Sequence, residues 1–242
     1  MKLEVKDRLI VALDVGSLKE AERLIDRIGD EVSAFKVGSQ LFTACGPEII
    51  RLIQGKKKKV FLDLKYHDIP ATVSLSVQEA AKHGPFMLTL HTSGGREMMK
   101  MAVEAVKGMK ERPLLVGVTV LTSLDEKDLA QVGIDRSASS HALSLALLAK
   151  EAGLDGVVAS TSEIRAIKEN CGEDFVVVTP GIRPSLSKAD DQKRTGTVSE
   201  ALSLGADFLV IGRPITKAAN PRQAAKKIVR EMSSRCNKGG GK

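Results

Sequence analysis

Two carboxylates and an ammonium group lie close together in one short stretch, where they could stabilise charge and transfer a proton. Asp63 and Lys65 stand two residues apart at the end of an apolar run, and Asp68 follows three residues later. Side chains two residues apart on a strand share a face. Buried charges are costly unless they are paired. We therefore interpret this stretch as a candidate catalytic cluster, in which each ammonium group keeps the neighbouring carboxylates ionised.

Short β-rich runs alternate with stretches of helical periodicity along the whole chain, and these elements must position the cluster. The predicted strands are Leu9–Val15, Ala34–Gly38, Val60–Lys65, Phe86–His91, Leu114–Leu121, Gly156–Ser160, Phe175–Thr179 and Phe208–Gly212. The predicted helices are Leu18–Ile28, Pro47–Gln54, Val73–His83, Glu97–Met109, Ser139–Ala152, Ser162–Asn170, Ser199–Leu204 and Ala218–Met232. An extra short helix is expected within Ser123–Ser137.

Repeated strand–helix units in 242 residues predict the α/β fold class and a single (β/α)₈ TIM barrel. An open doubly wound sheet is less favoured, because no GxGxxG motif follows the first strand. We expect one catalytic domain over residues 1–236, and a disordered glycine-rich tail over residues 237–242.

Charged and polar residues recur where the predicted strands end, and in a barrel all those ends meet at one face. Besides the central cluster, they are Asp14, Lys36, His91, Thr122, Ser123, Ser160, Arg183, Gly212 and Arg213. Arg183, Gly212 and Arg213 form a candidate phosphate grip, since glycine admits backbone N–H groups and arginine binds phosphate bidentately. The long polar loop 184–197 could close over a bound ligand.

The clustered carboxylates admit other chemistry. Aspartates can bind Mg²⁺, but the ammonium groups of Lys36 and Lys65 would occupy the space that a metal cation needs. Lys65 could also act as a Schiff-base nucleophile, although flanking carboxylates keep a lysine protonated and favour a role as an acid. For His67 and His91 we favour structural roles over catalytic ones. No metal ligand is assigned.

The composition favours a reduced intracellular protein, and its basic charge suits either nucleic-acid binding or a small anionic substrate. The net charge is +7, but aromatic residues make up only 3%, which leaves few side chains to stack on bases. The run Lys56–Lys59 is interpreted as a solvated loop. Cys45, Cys171 and Cys236 are far apart and odd in number, which predicts free thiols. With no signal peptide and no membrane span, a cytoplasmic location is expected.

The stretch Asp63–Pro70 resembles the DxKxxDIP signature of the orotidine 5′-phosphate decarboxylase family. Asp14, Lys36, Thr122-Ser123 and Gly212-Arg213-Pro214 follow the order of that family, and the resemblance covers roughly Arg8 to Arg230. The DxKxxD part is shared with Mg²⁺-dependent sugar-phosphate decarboxylases and aldolases, but those relatives carry Glu in place of Lys36. Such a lyase and a basic nucleic-acid-binding barrel remain the alternatives.

The resemblance implies a homodimer with shared active sites that converts orotidine 5′-monophosphate to UMP without a cofactor. Lys65 would protonate C6 of the pyrimidine, with Asp63 beside the departing carboxylate. Asp68 and Thr72 would reach the neighbouring subunit's site. The other implied contacts are Asp14 and Lys36 at the ribose hydroxyls, Thr122 and Ser123 at the base, and Arg183, Gln192, Gly212 and Arg213 at the phosphate.

Overall fold

A computed structural model of the chain describes residues 4–183 and 194–236. Within these residues eight parallel strands close into a barrel, in which each strand pairs with the next and the last pairs with the first. The predicted (β/α)₈ barrel is therefore confirmed. The strands are β1 (Leu9–Ala12), β2 (Ala34–Gly38), β3 (Lys59–Tyr66), β4 (Met87–His91), β5 (Leu114–Val118), β6 (Gly156–Val158), β7 (Val176–Thr179) and β8 (Phe208–Ile211).

Helices follow the strands and cover the outside of the barrel. They are α1 (Leu18–Ile28), α2 (Ser39–Cys45), α3 (Glu48–Gly55), α4 (Pro70–Ala81), α5 (Gly95–Val106), α6 (Glu126–Gln131), α7 (Ala138–Glu151), α8 (Ile164–Cys171), α9 (Val198–Ser203), α10 (Arg213–Thr216) and α11 (Pro221–Cys236). In the part of the chain that the structure describes, no helix is long and apolar enough to cross a membrane.

Helix α1 shows how the sequence sets these elements. The Ser17 hydroxyl accepts a hydrogen bond from the backbone N–H of Glu20 and caps the first turn. Residues three and four apart then form one buried face, which consists of Ala21, Leu24, Ile25 and Ile28. Gly29 ends the helix with a φ of 65°, which a residue without Cβ adopts readily.

The barrel interior continues directly into the charged face. Ile10, Ala34, Phe61 and other small or apolar residues fill the inside of the sheet, while alternate strand residues pack outward against the helices. Because side chains repeat their direction every second residue, Lys36 lies above Ala34 and Asp63 above Phe61. The strand period thus aims these two charged side chains at the mouth of the barrel.

Several predicted boundaries are wrong at the carboxyl ends of strands. β1 ends at Ala12 rather than Val15, β5 at Val118 rather than Leu121, and β6 at Val158 rather than Ser160. The residues beyond these points are apolar enough to resemble strand, but they leave the sheet and form the loops that surround the mouth. Helices α2 and α10 were not predicted, because each is short and follows a glycine. The extra helix in the fifth connection is confirmed as α6.

Candidate active site

Four charged side chains, three from β2 and β3 and one from the loop after β1, form a continuous line of alternating sign. Lys36 Nζ lies 3.5 Å from Asp14 Oδ1 and 3.3 Å from Asp63 Oδ2. Lys65 Nζ lies 2.8 Å from the same Asp63 oxygen. The structure therefore brings together Asp14, Lys36, Asp63 and Lys65 in the order that keeps every like-charged pair separated by an opposite charge.

The centre of this line is buried, yet its members stay charged. The side chain of Asp63 is 9% exposed and that of Lys36 is 14% exposed. Burial alone would raise the pKa of Asp63, but the two neighbouring ammonium groups outweigh it and hold that pKa below its usual value. Burial alone would lower the pKa of Lys36, but Asp63 and Asp14 hold it above the usual value. The carboxylate and the ammonium are both ionised at neutral pH.

Lys65 reaches Asp63 from an irregular backbone. Simple strand alternation predicts this contact, but the register between β3 and β4 shifts between Leu62 and Tyr66. Lys65 has a φ of 53°, in the left-handed region. A non-glycine residue there costs about 1 kcal/mol or more and persists only where its surroundings hold it. The predicted contact between the two side chains is therefore present, but it does not arise from the regular strand alternation on which the prediction was based.

Thr89 holds this irregular backbone and was missed by sequence reasoning. Its Oγ1 accepts a hydrogen bond of 2.8 Å from the backbone N–H of Lys65 and donates one of 3.1 Å to Asp63 Oδ1. Thr89 is fully buried. A hydroxyl inside the apolar run of β4 was the available signal, because a buried polar group needs a partner.

A single cavity connects the charged line to the candidate phosphate grip. Of the predicted residues, those that line it are Asp14, Lys36, Asp63, Lys65, Thr122, Arg183, Gly212 and Arg213. Its apolar wall consists of Ala12, Phe61, Val118, Val120, Val158, Ala159 and Val210. The cavity thus combines an apolar wall with an ion-pair line and two arginines.

Glycines allow the backbone of the candidate phosphate grip to lie close to the cavity. Gly181 has a φ of 76°, which favours glycine, and it leads into Arg183. At Gly212 an added Cβ would lie 3.3 Å from Asp14 Oδ2, so the missing side chain leaves room for that carboxylate. The backbone of Arg183 donates to the carbonyl of Gly196 at 2.9 Å, which joins the chain before and after residues 184–193.

Three predicted site residues that the structure describes, Asp68, Thr72 and Ser123, do not line this cavity. Asp68 is exposed, and its carboxylate accepts a hydrogen bond of 2.6 Å from the N–H of Ile69. Thr72 is exposed in the first turn of α4, and Ser123 is exposed beside Thr122. Gln192 lies outside the described residues, as do most of the predicted closing loop and the tail 237–242. Within this chain, Asp68 and Thr72 do not contribute to the cavity.

Another buried ion pair contacts residues that line the cavity, and sequence reasoning missed it too. The guanidinium of Arg194 contacts the carboxylate of Glu163, which is 1% exposed. The same guanidinium donates to the carbonyls of Val120 at 2.8 Å and Leu121 at 3.1 Å. Ser160 and Glu163 show the S-x-x-E spacing of a capping box, which was the available signal for Glu163. Arg194 itself follows residues 184–193 in the chain. Its side chain thereby connects that part of the chain to the loops after β5 and β6.

His67 and His91 pair with each other rather than line the cavity. Their ring centroids are 5.3 Å apart. Burial, together with nearby His67 and Lys65, lowers the pKa of His91 below its usual value. A neutral imidazole beside Lys65 adds no further positive charge to the site.

The closed barrel and the charged cavity at the carboxyl ends of its strands are typical of TIM-barrel enzymes. Residues 7–228 match the model of the orotidine 5′-phosphate decarboxylase / HUMPS family. The chain belongs to this family, and the resemblance found in its sequence is confirmed. It is a decarboxylase of pyrimidine biosynthesis.

Similar proteins match over nearly the whole chain. The orotidine 5′-phosphate decarboxylase of Syntrophotalea carbinolica is 48% identical over 99% of this chain and 100% of its own length. That of Geotalea daltonii is 50% identical over 95% of this chain and 97% of its own length. The crystal structure of the Lactobacillus acidophilus orotidine 5′-phosphate decarboxylase has a TM-score of 0.82 and 35% identity, and covers 93% of this chain and 99% of that one.

Proposed function

We propose that the protein converts orotidine 5′-monophosphate to UMP by means of the ion-pair line Asp14–Lys36–Asp63–Lys65. The observation that carries this proposal is the buried Asp63 carboxylate held between two ammonium groups at a cavity. Such an arrangement fixes positive charge in a site of low dielectric without any need for reorganisation during the reaction.

The reaction needs electrostatic stabilisation at one carbon atom. When the bond between C6 and the carboxylate breaks, CO₂ leaves and the electron pair stays on C6, where no attached group can delocalise it. The Lys65 ammonium stabilises this charge, and its proton then forms the new C6–H bond. Asp63 and Lys36 orient Lys65 throughout, and solvent returns a proton to the resulting amine.

Cavity residues, together with Ser123 and Gln192 from the sequence prediction, are assigned to the rest of the nucleotide. Asp14 and Lys36 bind the ribose hydroxyls, and Thr122 and Ser123 bind the base, which lies against the apolar wall. Arg183, Gly212 and Arg213 grip the phosphate together with Gln192. Because the phosphate is remote from C6, its binding energy can be used to stabilise the transition state.

The arrangement of charges supports chemistry without a metal or an organic cofactor. The positions around Asp63 that a divalent cation would take are filled by the ammonium groups of Lys36 and Lys65. Within residues 4–183 and 194–236, no group of three His, Cys, Asp or Glu side chains is arranged to hold a metal ion. The charge that a metal would supply comes from lysine in this proposal.

The activity is tested by following the ultraviolet absorbance of orotidine 5′-monophosphate with purified protein, in parallel with and without EDTA. We expect conversion to UMP at the same rate in both, within about twofold, because lysine supplies the positive charge. Orotidine, which lacks the phosphate, should react more slowly by at least about 100-fold, since it forgoes the phosphate's binding energy.

The two ways in which this experiment could fail are distinguishable. An absence of UMP with fresh substrate would overturn the proposed function. Turnover that EDTA abolishes and Mg²⁺ restores would instead favour the metal-dependent lyase chemistry. A positive control with an established orotidine 5′-phosphate decarboxylase confirms that the substrate is intact.

We also propose that the protein is a homodimer in which each active site takes Asp68 and Thr72 from the other subunit. Both side chains are exposed in the single chain, although they follow closely after Lys65. Two large apolar side chains beside them, Ile69 and Leu75, are 66% and 62% exposed. Ile69 and Leu75 are exposed apolar groups near Asp68, a charged residue that does not line the charged cavity of its own chain. Such a surface suits burial against a second copy of the chain.

Mixing two inactive variants tests the shared sites. A heterodimer of Lys65→Ala and Asp68→Ala subunits has both substitutions in one site and none in the other. Random exchange of subunits should therefore restore about a quarter of the native activity, because half of the dimers are mixed and each has one intact site. The measurement is turnover after denaturation and refolding of the mixture.

The matched control mixes Lys65→Ala with Asp63→Ala. Both residues lie on the same chain of the same site, so every site of that heterodimer is damaged and no activity should return. Verified Lys65→Ala/Asp68→Ala heterodimers that stay inactive would count against shared sites.

We further propose a cytoplasmic protein that binds neither membranes nor nucleic acid. Cys45 and Cys171 are free thiols, as is usual in a reducing compartment. Positive charge at the cavity is explained by arginines that face a small anionic substrate, so it does not require a nucleic-acid partner.

A further inference from the structure

The side chain of Thr89 occupies a position between the two residues proposed to carry the chemistry. Its single hydroxyl accepts from the backbone N–H of Lys65 and donates to Asp63 Oδ1. Because a hydroxyl has one proton to donate, these two bonds fix its orientation. The hydroxyl thus connects the backbone of one residue with the side chain of the other.

The two oxygens of Asp63 have separate partners. Oδ2 faces both ammonium groups, at 3.3 Å from Lys36 Nζ and 2.8 Å from Lys65 Nζ. Oδ1 accepts the hydrogen bond from Thr89. A carboxylate held through both oxygens cannot rotate without loss of a contact, so Thr89 sets the plane in which Asp63 presents Oδ2 to the lysines.

The backbone of Lys65 needs a comparable constraint. Its φ of 53° coincides with the shifted register between β3 and β4. The N–H of Lys65 bonds to the Thr89 hydroxyl in place of a regular strand partner. Without that acceptor, a partly buried backbone donor would lose its partner, in a backbone conformation that L-residues rarely adopt.

We propose that Thr89 is a positioning residue for the decarboxylation, one that holds Lys65 Nζ and the Asp63 carboxylate in their reactive arrangement. The inference rests on the proposed function of Lys65 as the proton donor. Thr89 does not line the cavity and acts through its two neighbours. A displacement of a reacting group by about 1 Å can cost roughly 100-fold in rate.

The test compares Thr89→Val, which keeps the shape and removes the hydroxyl, with Thr89→Ser, which keeps the hydroxyl. We expect Thr89→Val to lower kcat by roughly 10- to 100-fold while KM changes by less than about threefold, because the ribose and phosphate contacts remain. Thr89→Ser should stay within about threefold of the native kcat. Steady-state kinetics with orotidine 5′-monophosphate and thermal melting are measured on the same samples.

Thr92→Val is the matched control. Thr92 is also fully buried, and its hydroxyl donates a hydrogen bond of 2.8 Å to the carbonyl of Val118 rather than to a residue of the charged line. This variant should lower the melting temperature while kcat stays within about twofold. The contrast separates loss of a buried hydrogen bond from loss of positioning.

The proposal is overturned if Thr89→Val keeps kcat within threefold of the native value, or if Thr89→Ser loses as much as Thr89→Val. Where Thr89→Val does not fold, Thr89→Cys replaces it and is judged by the same criterion, since a thiol is a weak donor and acceptor. An inactive native protein would contradict the proposed function instead, so the two failures differ.

Discussion

Replacing Lys65 by alanine should lower kcat for orotidine 5′-monophosphate by at least about 10⁴-fold, because one substitution removes both the fixed positive charge and the proton donor. The substituted side chain is the one that Asp63 holds at 2.8 Å beside the cavity. Asp63 itself keeps Lys36 and Thr89 as partners, so the fold should remain intact.

Two measurements separate this effect from a loss of binding. Calorimetry should show that Lys65→Ala binds UMP within about tenfold of the native affinity, since the ribose and phosphate groups are untouched. Lys82→Ala removes an exposed lysine that is paired with Glu79 at the helix surface, and it should keep kcat within about twofold. A Lys65→Ala variant that retained more than a tenth of native turnover would falsify the assigned role.

The sequence was sufficient for the parts of the site that follow strand periodicity. Lys36 and Asp63 each stand two residues beyond an inward-facing residue, so the period of two aims them at the mouth of the barrel. The alternation of strands and helices along the chain was equally direct, because each strand is a short apolar run between helical stretches. These features are set by the local sequence pattern and do not depend on how distant side chains pack.

The parts that could not be predicted depend on contacts between distant residues. The left-handed backbone of Lys65 follows from a register shift against β4, and Thr89 is 24 residues away from Lys65 in sequence. Arg194 and Glu163 are 31 residues apart and carry no shared motif. No periodicity encodes such pairs, and only the folded barrel shows which groups face each other.

Breaking the buried pair of Arg194 and Glu163 should cost more stability than breaking an exposed ion pair. Arg194→Met removes the guanidinium and leaves the carboxylate of Glu163 buried, at 1% exposure, without its counter-charge. Breaking a buried pair in this way typically costs about 3 to 5 kcal/mol. Glu163 keeps hydrogen bonds from the Ser160 N–H at 2.7 Å and the Ser162 hydroxyl at 2.9 Å. We therefore expect a loss near the lower limit, about 3 kcal/mol.

For a chain of this size such a loss lowers the melting temperature by about 6 to 12 °C, measured by calorimetry at one fixed protein concentration. Adding Glu163→Gln to Arg194→Met should recover part of the loss, since the remaining buried group is then neutral.

Arg222→Met is the surface control, because its partner Glu31 lies 3.2 Å away and Arg222 is 61% exposed. That variant should change stability by less than about 1 kcal/mol. An Arg194→Met protein that melts as the native one does would show that the buried carboxylate finds other compensation, and that the connection between the loops after β5 and β6 does not depend on this arginine.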